Sequence, residues 1–268
     1  MAQTGFRLNK LEIFNWGTFD QQVWEIEPKG ETALLTGENG SGKSTLVDGL
    51  LTLLVPNQKR SYNQAAGDRR KKERNEQTYV RGAYGKLQSE GEYKAKTIYL
   101  RDKNSYSVLL AQFCNTDYQR IVTLAQIFWL QDGSLKKFHV VATIPLTITD
   151  HFSGFETISE LKKRLKNING VQVEDQFNKY SKQFRKLFGV RSEKAFDLFN
   201  QTVTIKEIGQ LNDFVRQHML EKTDASDKVQ QLQEHYENLM LAYQAMQKAE
   251  QQLSILRPLA SHAQKYRQ

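Results

Sequence analysis

One motif within residues 34–54, LLTGENGSGKSTLVDGLLTLL, constrains the fold more than any other part of the chain. It fits the phosphate-loop pattern G-x-x-x-x-G-K-[ST]. The pattern comprises Gly37, Glu38, Asn39, Gly40, Ser41, Gly42, Lys43 and Ser44. Thr45, which follows it, is also expected at the nucleotide. Glycines let the backbone wrap closely around phosphates, and a helix N-terminus adds a positive dipole end. The motif predicts a site for ATP and Mg²⁺ in which Lys43 reaches the β- and γ-phosphates and Ser44 binds the metal.

The residues on both sides of this loop support that interpretation. The segments FRLNKLEIFNW and QVWEIE alternate apolar and polar residues and predict strands, and TALLT at 32–36 predicts a short strand entering the loop. After Lys43 the leucines recur at helical spacing until Pro56 stops the helix. A strand before the loop and a helix after it form the context that a phosphate loop requires.

The middle of the chain predicts a β-rich lobe. Residues 57–78 are polar and basic and predict a surface loop, whereas residues 94–144 are rich in β-branched and aromatic residues. We expect hairpin turns at Asn104-Ser105 and Asp132-Gly133. Short helices are expected over residues 157–199. TVTI at 202–205 then predicts one more strand, followed by a helix around LNDFVRQHML.

The C-terminal segment has a different pattern. Apolar residues recur at alternating steps of three and four, at Val229, Leu232, Tyr236, Leu239, Tyr243 and Met246. This heptad pattern predicts one strand of a coiled-coil arm, interrupted at Arg257-Pro258. The alternative is an amphipathic helix packed on the domain. The predicted organisation is a domain over residues 1–224 and the root of an arm over residues 225–268.

Composition narrows the classes of function. No apolar run approaches the roughly 20 residues that span a bilayer, and Cys114 is the only cysteine, so we expect a cytoplasmic protein without a membrane partner. The histidines lack metal-ligand spacing. The net charge of +8 favours a polyanionic partner such as DNA without establishing one.

The residues that complete ATP hydrolysis are not found in the sequence. An ATPase of this kind needs an apolar strand ending in Asp, followed by a Glu that polarises the attacking water. TIYLRD ends at Asp102 but lacks the Glu, and LTITD ends at Asp150 with His151 after it. An L-S-G-G-Q-like signature is also missing. We therefore assign no catalytic residue to this chain and expect it to bind ATP without turning it over.

Four stretches together resemble a known family: NWGTFD, GENGSGKSTLVDGL, TYVRGAYG and FNQTVTIKEIGQLNDFVRQHML. They are similar to the N-terminal half of an SMC-type ATPase head in the MukB-like branch, and most similar to the SMC subunits of Wadjet plasmid-defence systems. The resemblance implies an α/β fold: a P-loop ABC/SMC-type head lobe with a β-rich subdomain and the start of an antiparallel coiled-coil arm. It implies ATP sandwiched between two heads and loop extrusion on circular plasmid DNA.

The same resemblance implies partners. They are the C-terminal half of the same head, a second head, a kleisin, a KITE-type subunit and a nuclease, together with a DNA-associated location in the cytoplasm. It also places Asn15 at the nucleotide. The family has a metal-sensing glutamine where this sequence has Lys206. Gln201 and Gln210 lie nearby, and Gln201 is the candidate for this role.

DNA contacts are expected from basic residues after the phosphate-loop helix. They are Lys59, Arg60, Arg69, Arg70, Lys71, Lys72 and Arg81. The alternatives are a solvated loop for the cluster and a structural salt bridge for Arg81.

Other functions remain open. They are a chromosome-condensing or repair-type SMC relative, an assembly module that binds ATP and DNA without turnover, and a small-molecule kinase built on the same loop.

Overall fold

The computed structural model describes residues 5–60, 62, 75–87, 96–102, 105–190, 194–204 and 225–266. Within them the chain divides into two compact units, Met1–Glu207 and Ile208–Gln268. No helix in these ranges is long and apolar enough to cross a membrane.

An antiparallel sheet is the framework of the first unit. The strands of the chain are β1 (Arg7–Trp16), β2 (Phe19–Ile26), β3 (Ala83–Leu87), β4 (Lys96–Tyr99), β5 (Tyr106–Asn115), β6 (Arg120–Gln131), β7 (Ser134–Ala142) and β8 (Val171–Glu174). Six of them form one sheet in the order β2-β1-β5-β6-β7-β8, and β3 pairs only with β4 among the described strands. The predicted turn at Asp132-Gly133 is confirmed: both residues have positive φ, as a tight hairpin turn between twisted strands requires.

Both faces of this sheet are buried, because successive side chains of a strand point to opposite sides. Leu109 and Leu124 belong to a core that contains the phosphate-loop helix, whereas Leu110 and Ala125 belong to a second core on the other face. The phosphate loop therefore lies on one defined face of the sheet.

Helices cover both faces. Their bounds are α1 (Lys43–Leu54), α2 (Glu76–Arg81), α3 (Ile148–His151), α4 (Ile158–Lys166), α5 (Phe177–Phe188) and α6 (Lys194–Thr204). On the phosphate-loop face, α1 contributes Leu51 and Leu53, and α5 contributes Tyr180 and Phe184. On the opposite face, α4 buries Leu161 and Leu165, as its apolar spacing predicts.

Two predicted strands are wrong. Residues 32–36 pair with no strand in the described part of the chain, and Leu34 is 88% exposed. A strand needs neighbours to satisfy its backbone groups, and none of the described strands pairs with this segment. Residues 202–204 of TVTI form the end of helix α6. Phe196 and Phe199 of α6 pack against the core, so the apolar face of the helix outweighs the β propensity of Thr and Val.

The predicted hairpin at Asn104-Ser105 is also wrong. The strands on either side of it, β4 and β5, belong to different sheets. Helix α2 and strand β8 were missed, because each is shorter than the window over which periodicity can be read.

The second unit contains one long helix, α7 (Ala225–Tyr266). The residues of the heptad pattern form an apolar stripe along this helix: Val229, Leu232, Tyr236, Leu239, Tyr243 and Met246. Their side chains are exposed, with Leu232 at 74% and Leu239 at 69%. The predicted interruption is wrong, because the helix continues through Pro258. Pairing of the stripe in a coiled coil stays a prediction.

Candidate nucleotide site

The phosphate loop adopts backbone conformations that only glycine takes up readily. Gly40 and Gly42 have φ of 88° and 94°, and helix α1 begins directly afterwards at Lys43. No side chain caps the start of this helix. The first amides of a helix lack intrahelical partners, so the start of a helix such as α1 is a favourable place for an anion.

The side chain of Lys43 folds back over the loop. Its Nζ donates to the carbonyl oxygens of Gly37 at 2.6 Å and Glu38 at 2.7 Å. These bonds hold the ammonium group above the loop, from where it is expected to reach the β- and γ-phosphates of a nucleotide.

A cavity of about 250 Å³ opens at this loop. It is lined by Thr18, Asn39, Gly40, Ser41, Gly42, Lys43, Ser44 and Thr45. The lining includes Ser44 and Lys43, whose side chains suit Mg²⁺ and phosphate, because Mg²⁺ prefers hard oxygen ligands and a lysine ammonium attracts an anion. Within the described residues, no group of His, Cys, Asp and Glu forms a separate metal site.

The turn between β1 and β2 forms one wall of the cavity through Thr18. This turn packs closely on the phosphate loop and the start of α1, and the closeness is seen at one glycine of the turn and one of the loop. A Cβ atom on Gly17 would lie 2.6 Å from Cγ2 of Thr45, and a Cβ atom on Gly42 would lie 2.6 Å from the ring of Phe19. Both distances are far below van der Waals contact, so the packing of the turn on the loop requires glycine at both positions.

Asn15, expected at the nucleotide, has a structural role instead. It is 7% exposed and has a positive φ of 53°. Its side-chain amide donates to the carbonyl of Tyr106, and its Oδ1 accepts from the amide of Gln21. The side chain thus fixes the irregular start of β2. The residue of the NWGTFD motif that lines the cavity is Thr18, which sequence reasoning missed because a lone Thr in a turn carries no distinguishing signal.

Helix α1 is anchored along its length. Tyr79 of α2 donates a hydrogen bond to the buried carboxylate of Asp48, and its ring stacks on Trp16 at 4.8 Å. At the other end, the carbonyls of the last turn accept from buried side chains. The bonds are Arg60 to Thr52 and Val55, Gln126 to Thr52, and Tyr180 to Leu53. These side chains satisfy carbonyls that the helix itself leaves unpaired.

Arg60 was predicted to contact DNA, and the structure gives it another role. Its side chain is fully buried and forms an ion pair of 2.9 Å with Glu76, which also binds Lys137 at 2.7 Å. Burial alone would raise the pKa of Glu76, but Lys137 and Arg60 together hold it below its ordinary value. A positive charge is favourable at the C-terminal end of a helix, and Arg60 supplies one to α1. Because the guanidinium is shielded from solvent, the DNA assignment of Arg60 is wrong.

The remaining predicted site residues are those expected to contact DNA and the metal-sensing candidate Gln201. Lys59 is exposed, and Arg81 stacks on the ring of Tyr99 with 3.5 Å between guanidinium carbon and ring centroid. Arg69, Arg70, Lys71 and Lys72 lie outside the described residues. Gln201 lies in α6, and its side chain is likewise not described. DNA binding by these residues and metal sensing by Gln201 stay predictions.

The two rejected carboxylates lie away from the nucleotide cavity. Asp150 belongs to the first turn of α3, where Thr147 donates to it, and Asp102 accepts from Ser105. Neither lines the cavity. Among the described residues that line the cavity, none is Asp or Glu.

The loop, the helix and the cavity are the features of a P-loop nucleotide-binding domain, and a comparison with protein families agrees with that class. Residues 8–69 match a family described as the P-loop containing region of AAA domain. A solved structure described as "Structural biochemistry of ATP-driven dimerization and DNA stimulated activation of SMC ATPases" is similar at 14% identity and a TM-score of 0.30. The similarity covers 61% of this chain and 93% of that chain. No curated protein matches the sequence.

Proposed function

We propose that this chain is the ATP-binding half of an ATPase head of the SMC type. The observation that carries the proposal is the cavity at the start of α1, where Lys43, Ser44 and the loop amides converge. Calorimetric titration with ATP and Mg²⁺ tests it: the chain should bind, and Lys43→Ala should abolish binding. Lys163→Ala is the matched control, because Lys163 is exposed on α4, on the opposite face of the sheet. Equal binding by the wild type and Lys43→Ala would contradict the proposal.

The head is proposed to be completed by a second segment. Residues 32–36 enter the phosphate loop without a described strand partner, and Leu34 and Leu35 are 88% and 41% exposed. Exposed apolar side chains on an extended segment outside any described sheet suit the addition of neighbouring strands. We assign those strands to the C-terminal half of the head, which would also bring the missing Asp, Glu and signature residues.

ATPase assays test whether this chain binds ATP while a second segment supplies the catalytic residues. The chain alone should hydrolyse no ATP, and steady hydrolysis that is lost in Lys43→Ala would show that it already contains a catalytic carboxylate. Adding the C-terminal half should create ATPase activity. Leu34→Asp should prevent that gain without lowering ATP affinity, since Leu34 is not among the residues that line the cavity.

Helix α7 is proposed to be the outgoing strand of an antiparallel arm. Its stripe side chains are more than half exposed, and burial of each Leu- or Met-sized side chain stabilises by about 1.5–3 kcal/mol. A returning helix would cover this stripe. In two engaged heads that sandwich ATP, such arms would transmit the movement to DNA.

The biological setting is proposed from sequence resemblance alone. NWGTFD, TYVRGAYG and FNQTVTIKEIGQLNDFVRQHML are most similar to JetC, the SMC subunit of Wadjet plasmid defence. We therefore propose a cytoplasmic, DNA-associated complex with a kleisin, a KITE-type subunit and a nuclease that extrudes circular DNA. Loss of plasmid exclusion in Lys43→Ala cells would support this setting. A defect in chromosome segregation or repair alone would favour the chromosome-condensing or repair-type relatives.

DNA contact is proposed for Lys59, Arg81 and the cluster Arg69, Arg70, Lys71 and Lys72. Replacing the cluster with alanine should weaken duplex binding and flatten its salt dependence by about 0.9 log units per lost phosphate contact. Lys163→Ala and Lys166→Ala serve as controls, because they remove exposed lysines from α4. An unchanged salt slope would indicate a solvated loop without a DNA role.

A further inference from the structure

One buried arginine joins three parts of the chain that meet beside the nucleotide cavity. Arg101 follows strand β4 and is 6% exposed. Its guanidinium has five N–H donors, and the structure gives hydrogen bonds to five acceptors. They are the carbonyls of Val80 (2.7 Å), Phe19 (3.2 Å), Gly17 (2.8 Å) and Tyr79 (2.8 Å), and the carboxylate of Asp20 (2.8 Å).

These acceptors lie on two separate elements. Gly17 and Phe19 flank Thr18 in the turn between β1 and β2, and Thr18 lines the nucleotide cavity. Tyr79 and Val80 belong to the last turn of α2, and the carbonyls at the C-terminal end of a helix attract a cation. Arg101 therefore bridges the cavity wall to a helix that is itself tied to α1 by the Tyr79–Asp48 hydrogen bond.

The surrounding backbone is shaped to admit this side chain. Gly82 ends α2 with a φ of 66°, and a Cβ atom there would lie 2.9 Å from the guanidinium of Arg101. The amide of Gly17 donates to the carbonyl of Tyr79 at 2.8 Å, so that the turn and α2 are also joined directly. A lysine in place of Arg101 has three donors on one nitrogen and cannot bridge acceptors that diverge in this way.

We propose that Arg101 is a positioning residue for nucleotide binding, which holds Thr18 and the turn in contact with the phosphate loop. This inference rests on the proposed ATP site. None of the five acceptors of Arg101 lines the cavity, so Arg101 acts on the site through the turn, by pre-organising the wall that contains Thr18. Without Arg101 the turn has to be ordered when the nucleotide binds, and that cost reduces affinity.

The test compares ATP affinity with stability in the whole chain. Calorimetric titration with ATP and Mg²⁺, at a temperature where each variant is folded, should show a loss of about tenfold in Arg101→Met and a smaller loss in Arg101→Lys. Leu165→Ala is the control, because it removes a buried side chain from the core on the opposite face of the sheet. It should lower the melting temperature while leaving affinity within about twofold.

A double-mutant cycle separates positioning from general destabilisation. If Arg101 acts through the turn, Thr18→Ala should cost less affinity in the Arg101→Lys background than in the wild type. If the losses of ATP affinity in Thr18→Ala and Arg101→Lys simply multiply in the double variant, the inference is overturned. It is also overturned if Arg101→Lys or Arg101→Met binds ATP as tightly as the Leu165→Ala control. Failure of the wild type to bind ATP would remove the proposed function, and this inference with it. If Arg101→Met does not fold, the Arg101→Lys cycle decides.

Discussion

The close packing of the β1–β2 turn on the phosphate loop predicts a specific effect of Gly17→Ala. Two costs add at this position. The φ of 60° is left-handed, which costs an L-residue about 1–2 kcal/mol. The new Cβ would also lie 2.6 Å from Cγ2 of Thr45 and 3.2 Å from the ring of Tyr79. Thr45 is β-branched and stands in the first turn of α1, so its side chain has little freedom to turn away. Overpacking of this kind costs about 1–3 kcal/mol, giving a total of about 2–5 kcal/mol.

The matched control is Gly133→Ala in the β6–β7 turn. Gly133 has a φ of 75°, and nothing lies within 4 Å of a Cβ atom built there. It should therefore show only the conformational cost of about 1–2 kcal/mol. The difference between the two variants in urea unfolding isolates the contact with Thr45 and Tyr79.

ATP affinity provides the second measurement. Gly17→Ala should displace Thr45 and the start of α1 and lower affinity, whereas Gly133→Ala should leave it unchanged. Adding Thr45→Ser removes the clashing methyl group and should restore part of both stability and affinity, relative to Thr45→Ser alone. If Gly17→Ala behaves like Gly133→Ala in both assays, the turn does not press on the phosphate loop and the described wall of the cavity is wrong.

Three further effects follow from buried or exposed groups. Burial lowers the pKa of His139 from its ordinary 6.5 to about 4, so the unfolded chain binds the extra proton and about 3 kcal/mol of stability should be lost as the pH falls through this range. Urea titrations against pH should show a shallower loss in His139→Gln. Glu76→Gln removes the partner of a buried cation and should destabilise by about 3–5 kcal/mol at pH 7. Folding lowers the pKa of Glu76, so the stability that its carboxylate contributes to the wild type should be lost as the pH falls below the pKa of Glu76 in the unfolded chain. If the wild type and Glu76→Gln differ by the same free energy of unfolding at acidic and neutral pH, this explanation is contradicted. Leu239→Asp should abolish any concentration-dependent association of α7 in sedimentation, whereas Asn238→Asp, which adds the same charge beside the stripe, should not. Unchanged mass, helicity and protease resistance in Leu239→Asp would count against the coiled-coil arm.

The sequence predicted those features whose signal lies within a few residues. The phosphate loop, helix α1 and the strands β1, β2, β5, β6 and β7 follow from local patterns. The predicted strand at 32–36 is wrong because pairing depends on a neighbour, which the described part of the chain does not provide. A local pattern can show that a segment prefers an extended backbone, but not whether another strand lies beside it.

The roles of charged residues were harder to predict. Arg60 stands next to Lys59 in a basic stretch, yet one is buried and the other exposed. The difference is set by Glu76, a residue 16 positions away that receives the guanidinium. Arg101 has no distinguishing signal in the sequence, because its acceptors in the turn lie more than 80 residues away. Composition identifies a basic segment, but only the fold shows which cations have internal partners.

The two ends of α1 differ in a way that bears on how this site works. At the C-terminal end, carbonyls of the last turn accept from Arg60, Gln126 and Tyr180, all buried. At the N-terminal end, no side chain caps the helix, and Lys43, Ser44 and Thr45 line the cavity. A phosphate that binds there meets a helix already fixed at its other end and along its length, so little binding energy is lost in ordering it. On the other side of the loop, residues 32–36 pair with no described strand, and Leu34 is exposed. We therefore expect a completing segment to act mainly by ordering that side and bringing catalytic carboxylates, rather than by building the phosphate site itself.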